Sequence, residues 1–489
     1  MLFNSVRFLF FLPVVFMLYW FVFRTRKLQN FLIVLASYFF YGCWDWRFLI
    51  LIALTSFCSY WSGLLIASAD GHRKQQKALA ATNIVLNLLI LGVFKYYNFF
   101  TENLATLFAM FGMTLDRVTL DVILPVGISF YTFQALSYTI DVYRGQIRPT
   151  RDMVEFFAFI SFFPQLVAGP IERATNLLPQ FQRSRQFDYA QAADGIRQML
   201  WGFVKKMIIA DNCASGVNLI WSQYDEMTGL VLLVGAFLFT FQIYCDFSGY
   251  SDIAIGCARL FGINLKRNFN FPYFSRNISE FWRRWHISLM TWFRDYIYFP
   301  LGGSRCAQWK VIRNTLIVFF VSGLWHGANW TFVVWGLYHA CLIAVFMLLG
   351  LNVKHTYVVA EGRLLPSWKE VAQMIVTFVL ALIGWVIFRA ETLGDSISYL
   401  SGICSYSLLD FSTSAVQLAD VDDLDVALSA IIVMMLAEWL QRDKQHALQF
   451  SPDSIFAKSI ILRYVVYVVL TMSLIGLGGS QSEFIYFQF

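Results

Sequence analysis

Apolar runs of membrane-entering length recur along this chain from Phe8 to Leu477 instead of gathering in one terminal block. That recurrence narrows the possible folds more than any other feature, because each run asks to be surrounded by lipid or by other such runs. Composition agrees. The mean hydropathy is +0.58, and only 14% of the 489 residues are charged, against about 25% in an ordinary soluble domain. Fifty Phe, 16 Trp and 23 Tyr are more aromatic surface than one water-soluble core could hide. A soluble fold, a disordered chain, a collagen and a coiled coil are excluded together. The chain reads as an all-α polytopic integral membrane protein. Its first run is not followed by a small-residue cleavage site and leads directly into further spans, so it does not read as a secretory signal.

Charge placement orients the spans. Arg24, Arg26 and Lys27 follow the first run while only Arg7 precedes it, which predicts an outside N-terminus and a cytoplasmic first loop. Runs at Phe31 to Tyr41 and Phe48 to Ile66 should then cross out and back, reaching the basic residues His72, Arg73, Lys74 and Lys77. From Glu391 to Asp425 there are seven acidic residues and no Lys or Arg, so this stretch is expected as a non-cytoplasmic loop. By the same parity the terminal Phe-Ile-Tyr-Phe-Gln-Phe should fall outside. The eight cysteines show no metal-like spacing and are expected as small packing residues, with no metal site.

No internal repeat or soluble domain is evident, so residues 1–489 read as a single integral domain. Residues 1–120 supply N-terminal spans, 121–351 a motif-bearing core, and 352–489 C-terminal spans near Val371 to Phe388, Val426 to Leu440 and Ile460 to Leu477. Between Asp121 and Arg313 the apolar stretches are short and interrupted by Pro125, Gly127, Pro164, Gly169, Pro170, Gly249 and Gly256. Re-entrant or tilted helices around a chamber are expected there, since irregular backbone at membrane depth needs protein or water beside it.

The histidines separate into two sets. His72, His355 and His446 sit in charged surroundings and read as solvated. His326 ends an apolar run that starts near Thr315, and the 13 residues from Asn314 to His326 make a helix of about 20 Å, short of the roughly 30 Å hydrocarbon core. The run therefore predicts a helix stopping inside the bilayer, a turn at Gly327, Ala328 and Asn329, and a returning helix from Trp330 toward Leu351. His326 is either a packed, hydrogen-bonded residue or a neutral imidazole able to act as a general base. His339 on the returning helix reads as a packing group. In Asn277-Ile-Ser-Glu-Phe-Trp-Arg-Arg-Trp-His-Ile-Ser-Leu-Met-Thr-Trp-Phe-Arg-Asp295, helical spacing predicts a stripe of Trp282, Trp285, His286 and Trp292, with Arg283 and Arg284 projecting elsewhere. An interfacial anchor helix competes here with an arginine site for a phosphate-bearing donor. Asp246, Ser248 and Asp252 lie in an apolar stretch, where structural ion pairing is the first expectation. Pro125 to Gln134 and Phe163 to Arg173 suggest broken helices. No P-loop, GxSxG, HExxH or dinucleotide fingerprint occurs.

Four stretches together, Pro125 to Gly145, Phe163 to Arg173, Asp246 to Gly303 (with Phe269-Asn-Phe-Pro-Tyr273, Phe281-Trp-Arg-Arg-Trp-His286 and Phe299-Pro-Leu-Gly-Gly303) and Ser322 to Trp330, resemble the membrane-bound O-acyltransferase family. The likeness is to its alginate O-acetylation branch, with teichoic-acid D-alanylation proteins more distant, and it extends over nearly the whole chain. It implies a ring of transmembrane and re-entrant helices around a central funnel and tunnel. It also implies catalysis by His326, with His286 as the second family histidine. Gln134, Asp246, Ser248, Asp252, Trp282, Trp325 and Asn329 would then line the funnel or tunnel, and Arg283 or Arg284 would hold the donor.

The expected reaction is transfer of an acetyl group from a cytoplasmic donor, acetyl-CoA, for O-acetylation of an exopolysaccharide such as alginate or cellulose. No permanently bound cofactor is expected. The implied setting is the bacterial inner membrane, with membrane lipid, a periplasmic acetyltransferase partner of the AlgJ or AlgX kind and a polysaccharide synthesis complex as partners, and no nucleic acid. Two rival readings stand beside it. One is a transporter or flippase of an acyl carrier or glycan, which broken helices and midplane polar groups would suit; the other is a structural subunit of a polysaccharide synthase.

Overall fold

The computed structural model describes residues 1–114, 119–120, 124–167, 169–352, 355 and 357–485. The division expected at Asp121 and the Lys354 neighbour of His355 lie outside them. Among the described residues the secondary structure is helical throughout, without a strand. Five helices among the described residues are long and apolar enough to cross a membrane: Phe48–Ser68, the Arg73–Met110 stretch, Gly229–Leu260, Trp330–Leu348 and Trp368–Arg389. The expected runs become helices at Arg26–Gly42, Phe48–Ser68, Trp368–Arg389, Leu424–Leu440 and Ile460–Gly476, within a few residues of the apolar limits. Many of their large apolar side chains, including Phe39, Ile50, Ile432, Ile461, Val469 and Ile475, are exposed, as a lipid-facing surface requires.

The contacts group into two compact units, Met1–Gly195 with Cys257–Lys266, and Ile196–Gly256 with Arg267–Phe489. In the first, the helices Phe48–Ser68, Arg73–Leu91 and Ile128–Tyr143 pack together around a polar seam in which Asn83 donates to Thr139 Oγ1 at 2.7 Å and Ser59 Oγ at 3.2 Å. The broken helices expected near Pro164 are present: Met153–Ser161 ends at Phe162, and a single turn, Phe163–Leu166, follows with Pro164 in its first positions, where proline needs no N–H partner.

Two expectations need correction in the second unit. First, the stretch containing Gly249 and Gly256 is not interrupted. It belongs to the 32-residue helix Gly229–Leu260, and Gly249 serves helix contact instead of helix breaking: a Cβ there would stand 2.7 Å from Gly202 O. Second, the acidic stretch after Glu391 is not an open loop. It forms the helices Leu393–Ile403 and Phe411–Ala419, with Thr392 and Asp410 capping their N-termini. Tyr399 stacks on Trp221 at 4.1 Å within a core that includes Ile220, Val231, Leu382 and Val386. The C-terminal segment packs inward as far as it is described. Phe484 and Ile485 are buried in this unit, while the four residues after them lie outside the described ones.

Acidic side chains without compensating Lys or Arg still argue for a non-cytoplasmic face at Glu391 to Asp425. Cys404, exposed at the end of the Leu393–Ile403 helix, should react with a membrane-impermeant maleimide in intact cells. Reaction only after the membrane is opened would invert the assignment.

Candidate active site

Two segments bring the conspicuous histidines together. The first is the Asn277–Asp295 stretch, which does not form one helix as its spacing suggested. It makes two short ones, Ile278–Arg284 and Ile287–Phe293, with the break at Trp285 and His286. A neighbouring strip of extended chain causes the break: Asn270 N donates to Arg284 O and Ile287 N donates to Asn268 O, both at 2.9 Å. Asn268 Oδ1 also accepts from the Ser288 hydroxyl. Held on both sides, His286 takes a φ of 43°, a left-handed conformation that costs a non-glycine residue about 1–2 kcal/mol. Its ring is thereby turned into the protein.

The Ile278–Arg284 helix is fixed at its base by charge. Asn277 caps it by accepting from Glu280 N at 2.8 Å. Glu280 then accepts from Arg276 Nε and Nη2 at 3.1 and 3.0 Å and from Arg284 Nε and Nη2 at 3.1 and 2.8 Å. Arg284 is therefore buried and committed to Glu280. Arg283 is exposed, makes no ion pair among the described residues, and opens with Arg294 into a largely apolar cavity of about 440 Å³, whose wall includes Trp282, Met290, Val318 and Phe319.

The second segment is a helical hairpin. The helix ending at His326 begins at Gln308, six residues before the expected start. At 19 residues it is about 28 Å long, so it is not cut short. The sequence reading missed its first turns because Lys310 and Arg313 make them polar. Its end at His326 and the turn after it are as expected, and Asn329 caps the returning Trp330–Leu348 helix by accepting from Thr331 N at 3.1 Å. The two helices meet almost backbone to backbone: a Cβ on Gly336 would stand 2.2 Å from Phe319 O, and one on Gly323 would stand 2.3 Å from Phe332 O.

This contact carries His326 into the core, 3% exposed, inside a collar of Trp325, Trp335 and Phe388 with ring centroids at 4.9, 5.0 and 5.5 Å. His286, 1% exposed, lies 6.5 Å from His326 between ring centroids. Trp325 touches both rings, at 5.8 Å from His286. Phe247 meets His286 edge to face at 4.7 Å. His339, buried behind them, packs on Trp282 and Trp335 at 5.0 and 5.4 Å, as a packing group would.

The other candidates fall elsewhere. Asp246 pairs with Lys206 at 2.7 Å and Asp252 with Lys205 at 2.6 Å, the structural pairing expected of them. Ser248 and Asp252 border a small polar cavity with Lys205, Arg267 and His446. His446 is thus not solvated. The turn carrying it folds inward with Ala447 and Leu448. Gln134 belongs to the first unit, where it donates to Phe159 O at 2.6 Å and exchanges hydrogen bonds with Gln165. Asn268 and Glu280 were not singled out from sequence. For Glu280 a signal existed, because Arg276 and Arg284 stand four residues on either side, the spacing of helical ion pairs.

The profile of the membrane-bound O-acyltransferase family matches residues 38–386. Among curated proteins, the chain is 40% identical over 438 residues to a probable alginate O-acetylase of Pseudomonas aeruginosa, covering 89% of this chain and 81% of that one. It is 31% identical to a peptidoglycan O-acetyltransferase of Helicobacter pylori, covering 100% and 98%. Identity to a teichoic acid D-alanyltransferase of Bacillus subtilis is 30%, covering 54% and 69%.

The two arginines should separate on mutation. Arg284→Ala removes two donors from a buried carboxylate and should destabilise the protein by about 2 kcal/mol, read as a lowered thermal midpoint in detergent. Arg283→Ala should leave that midpoint nearly unchanged. An equal loss in both would mean that Arg283 is also structural.

Proposed function

The chain belongs to the membrane-bound O-acyltransferase family and is a multi-pass O-acyltransferase, and from that premise we propose that it passes acetyl groups from a cytoplasmic thioester donor to a hydroxyl acceptor beyond the membrane. The observation that carries this reading is the pair of buried histidines. A hydroxyl oxygen accepting from or donating to both rings would lie about 2.8 Å from a nitrogen of each, and a centroid separation of 6.5 Å is a span that one such oxygen could bridge. In the proposed step His326 takes the proton of the acceptor hydroxyl while its oxygen attacks the acetyl thioester carbonyl. His286 steadies the donor or the oxyanion of the tetrahedral intermediate. The intermediate then expels the thiolate, which leaves with the proton from His326.

We propose acetyl-CoA as the donor. Arg283 would meet its phosphates, joined by the remaining donors of Arg294, whose Nε pairs with Asp295 at 2.8 Å, and its pantetheine arm would lie against Met290, Val318 and Phe319. Trp282 walls this cavity and stands 5.5 Å from Trp335, which in turn touches His326. Arg284 drops out of the donor site because Glu280 holds it. The acceptor side is proposed to be an exopolysaccharide such as alginate or cellulose, reached directly or through a periplasmic AlgJ- or AlgX-like partner, with the inner membrane as location. The resemblance to an alginate O-acetylase over most of the chain supports that class.

Purified protein in liposomes should transfer labelled acetyl from acetyl-CoA. His326→Ala should lower turnover by about 10²-fold or more while eluting as a monodisperse species. Arg283→Ala should raise KM for the donor more than it lowers kcat. Substantial transfer by well-folded His326→Ala protein would remove this mechanism and favour transport or scaffolding.

A further inference from the structure

The second unit contains a buried charge cluster that the reaction above does not use. The helix Tyr189–Phe203 widens into a π-helical segment, Val204–Ala210, which presents Lys206 to two carboxylates, Asp246 at 2.7 Å and Asp211 at 2.9 Å. All three side chains are nearly inaccessible. The cluster is completed by the end of the chain. Lys206 Nζ donates to Ser482 O and Oγ at 3.2 and 3.3 Å, the Ser482 hydroxyl donates to Asp211, and Ile485 N donates to Asp246 Oδ2 at 2.7 Å.

The strap is also held upstream of this cluster. Asn212 donates to Leu477 O at 2.8 Å, and Gly479 N donates to Met207 O at 3.0 Å. The backbone of the segment Leu477–Ile485 is thus hydrogen-bonded along its length, by Met207 O and by the side chains of Asn212, Lys206 and Asp246, which fixes its register.

That register places one ring. Phe484, 1% exposed, packs on Tyr250 at 4.6 Å and on Phe247 at 6.0 Å. Phe247 is the ring that meets His286 edge to face at 4.7 Å. A continuous line of contact therefore runs from the Lys206 cluster through the strap and two aromatic rings to the second histidine. His286 needs such support, because its left-handed backbone is the kind of strained conformation that persists only when its surroundings over-determine it.

We infer that the C-terminal strap Leu477–Ile485, latched by Lys206 and Asp246, is a positioning element of the active centre: Phe484, acting through Phe247, sets the His286 ring. Asn268 and Ser288 hold the strained turn at His286 from one side, and the strap, through Phe247, packs on its ring from the other, so loosening the strap also frees the turn's backbone. Phe484 is thus a positioning residue that acts on the reaction through another side chain. The inference deepens the acetyl-transfer reading and rests on it for its kinetic part only.

The test compares wild type with Phe484→Ala, Phe484→Leu and Phe484→Tyr in liposomes. Misplacing a reacting group by an ångström can cost about 10²-fold. Accordingly, Phe484→Ala should lower kcat by about tenfold or more and change donor KM by a smaller factor, because the cavity at Arg283 and Met290 is not touched. Phe484→Tyr, which keeps the ring, should recover most of kcat. Phe484→Leu keeps apolar bulk without the ring and should fall between, which keeps the test available if the alanine variant does not fold. In parallel, amide hydrogen exchange should rise in the peptide spanning residues 284–290 of Phe484→Leu and stay at the wild-type level in 308–326. Full kcat in the alanine or leucine variant, a loss that the tyrosine variant does not recover, or unchanged exchange at 284–290 would overturn the inference. If wild type transfers no acetyl group, the functional reading fails, and the exchange measurement still decides the strap.

Discussion

The approach of Phe319 O to Gly336 and of Phe332 O to Gly323 determines where His326 can lie. At these points a Cβ would stand 2.2 and 2.3 Å from a backbone oxygen, so the two arms of the hairpin are spaced by main chain and not by adjustable side chains. Small residues allow membrane helices this proximity, and the reward is rigidity: the last residue of the first arm cannot move outward without separating two backbones. Trp335 and Phe388 then close on a histidine whose depth is already set. His286 is held by a different backbone device, the hydrogen bonds from Ile287 N to Asn268 O and from Asn270 N to Arg284 O that break its helix. Two imidazoles fixed by separate main-chain constraints make a preorganised pair, which is what electrostatic stabilisation of a developing charge requires.

Charge organises the surroundings by a related rule. A carboxylate removed from water is costly unless partnered, and the buried carboxylates of the second unit sit beside cations: Glu280 between Arg276 and Arg284, Asp246 and Asp211 on Lys206, Asp252 on Lys205. Such clusters add little net stability against apolar packing, but they penalise any other register heavily. Each sits at a junction where register matters. One fixes the base of the helix before His286, and another fixes the end of the chain.

Apolar periodicity and length were enough to place most spans, because hydropathy is a property of the local chain. The end of the helix at His326 was readable for the same reason: Gly327 and Asn329 are local stop and start signals. What could not be read depended on partners far away in sequence. The Trp and His spacing after Asn277 is compatible with one continuous helix, and only the strip at Asn268 to Asn270 breaks it. Gly249 looks like an interruption until Gly202 is placed against it. Arg284 looks available until Glu280 is seen to hold it, although the four-residue spacing was there to be used. The acidic stretch after Glu391 looked like a loop because its helices are short and its acids gather at or near their ends, and its anchorage through Tyr399 depends on the distant Trp221.

The proposed transfer across the membrane would ask a site to admit reactants from two sides without becoming a water path. The aromatic content that first marked the chain as a membrane protein answers part of that demand. Around His326 the collar of Trp325, Trp335 and Phe388 removes water from the imidazole, and Trp282 stands between Trp335 and the cavity that Arg283 opens into. Rings suit this task because they seal by area, lose little conformational freedom on ordering and can present an edge to an imidazole. An aliphatic collar of equal volume would exclude water as well, but its branched ends would leave the imidazole without the edge-to-face contacts that fix its plane. The abundance of Trp and Phe is therefore tied to orientation at the site as much as to solubility in lipid.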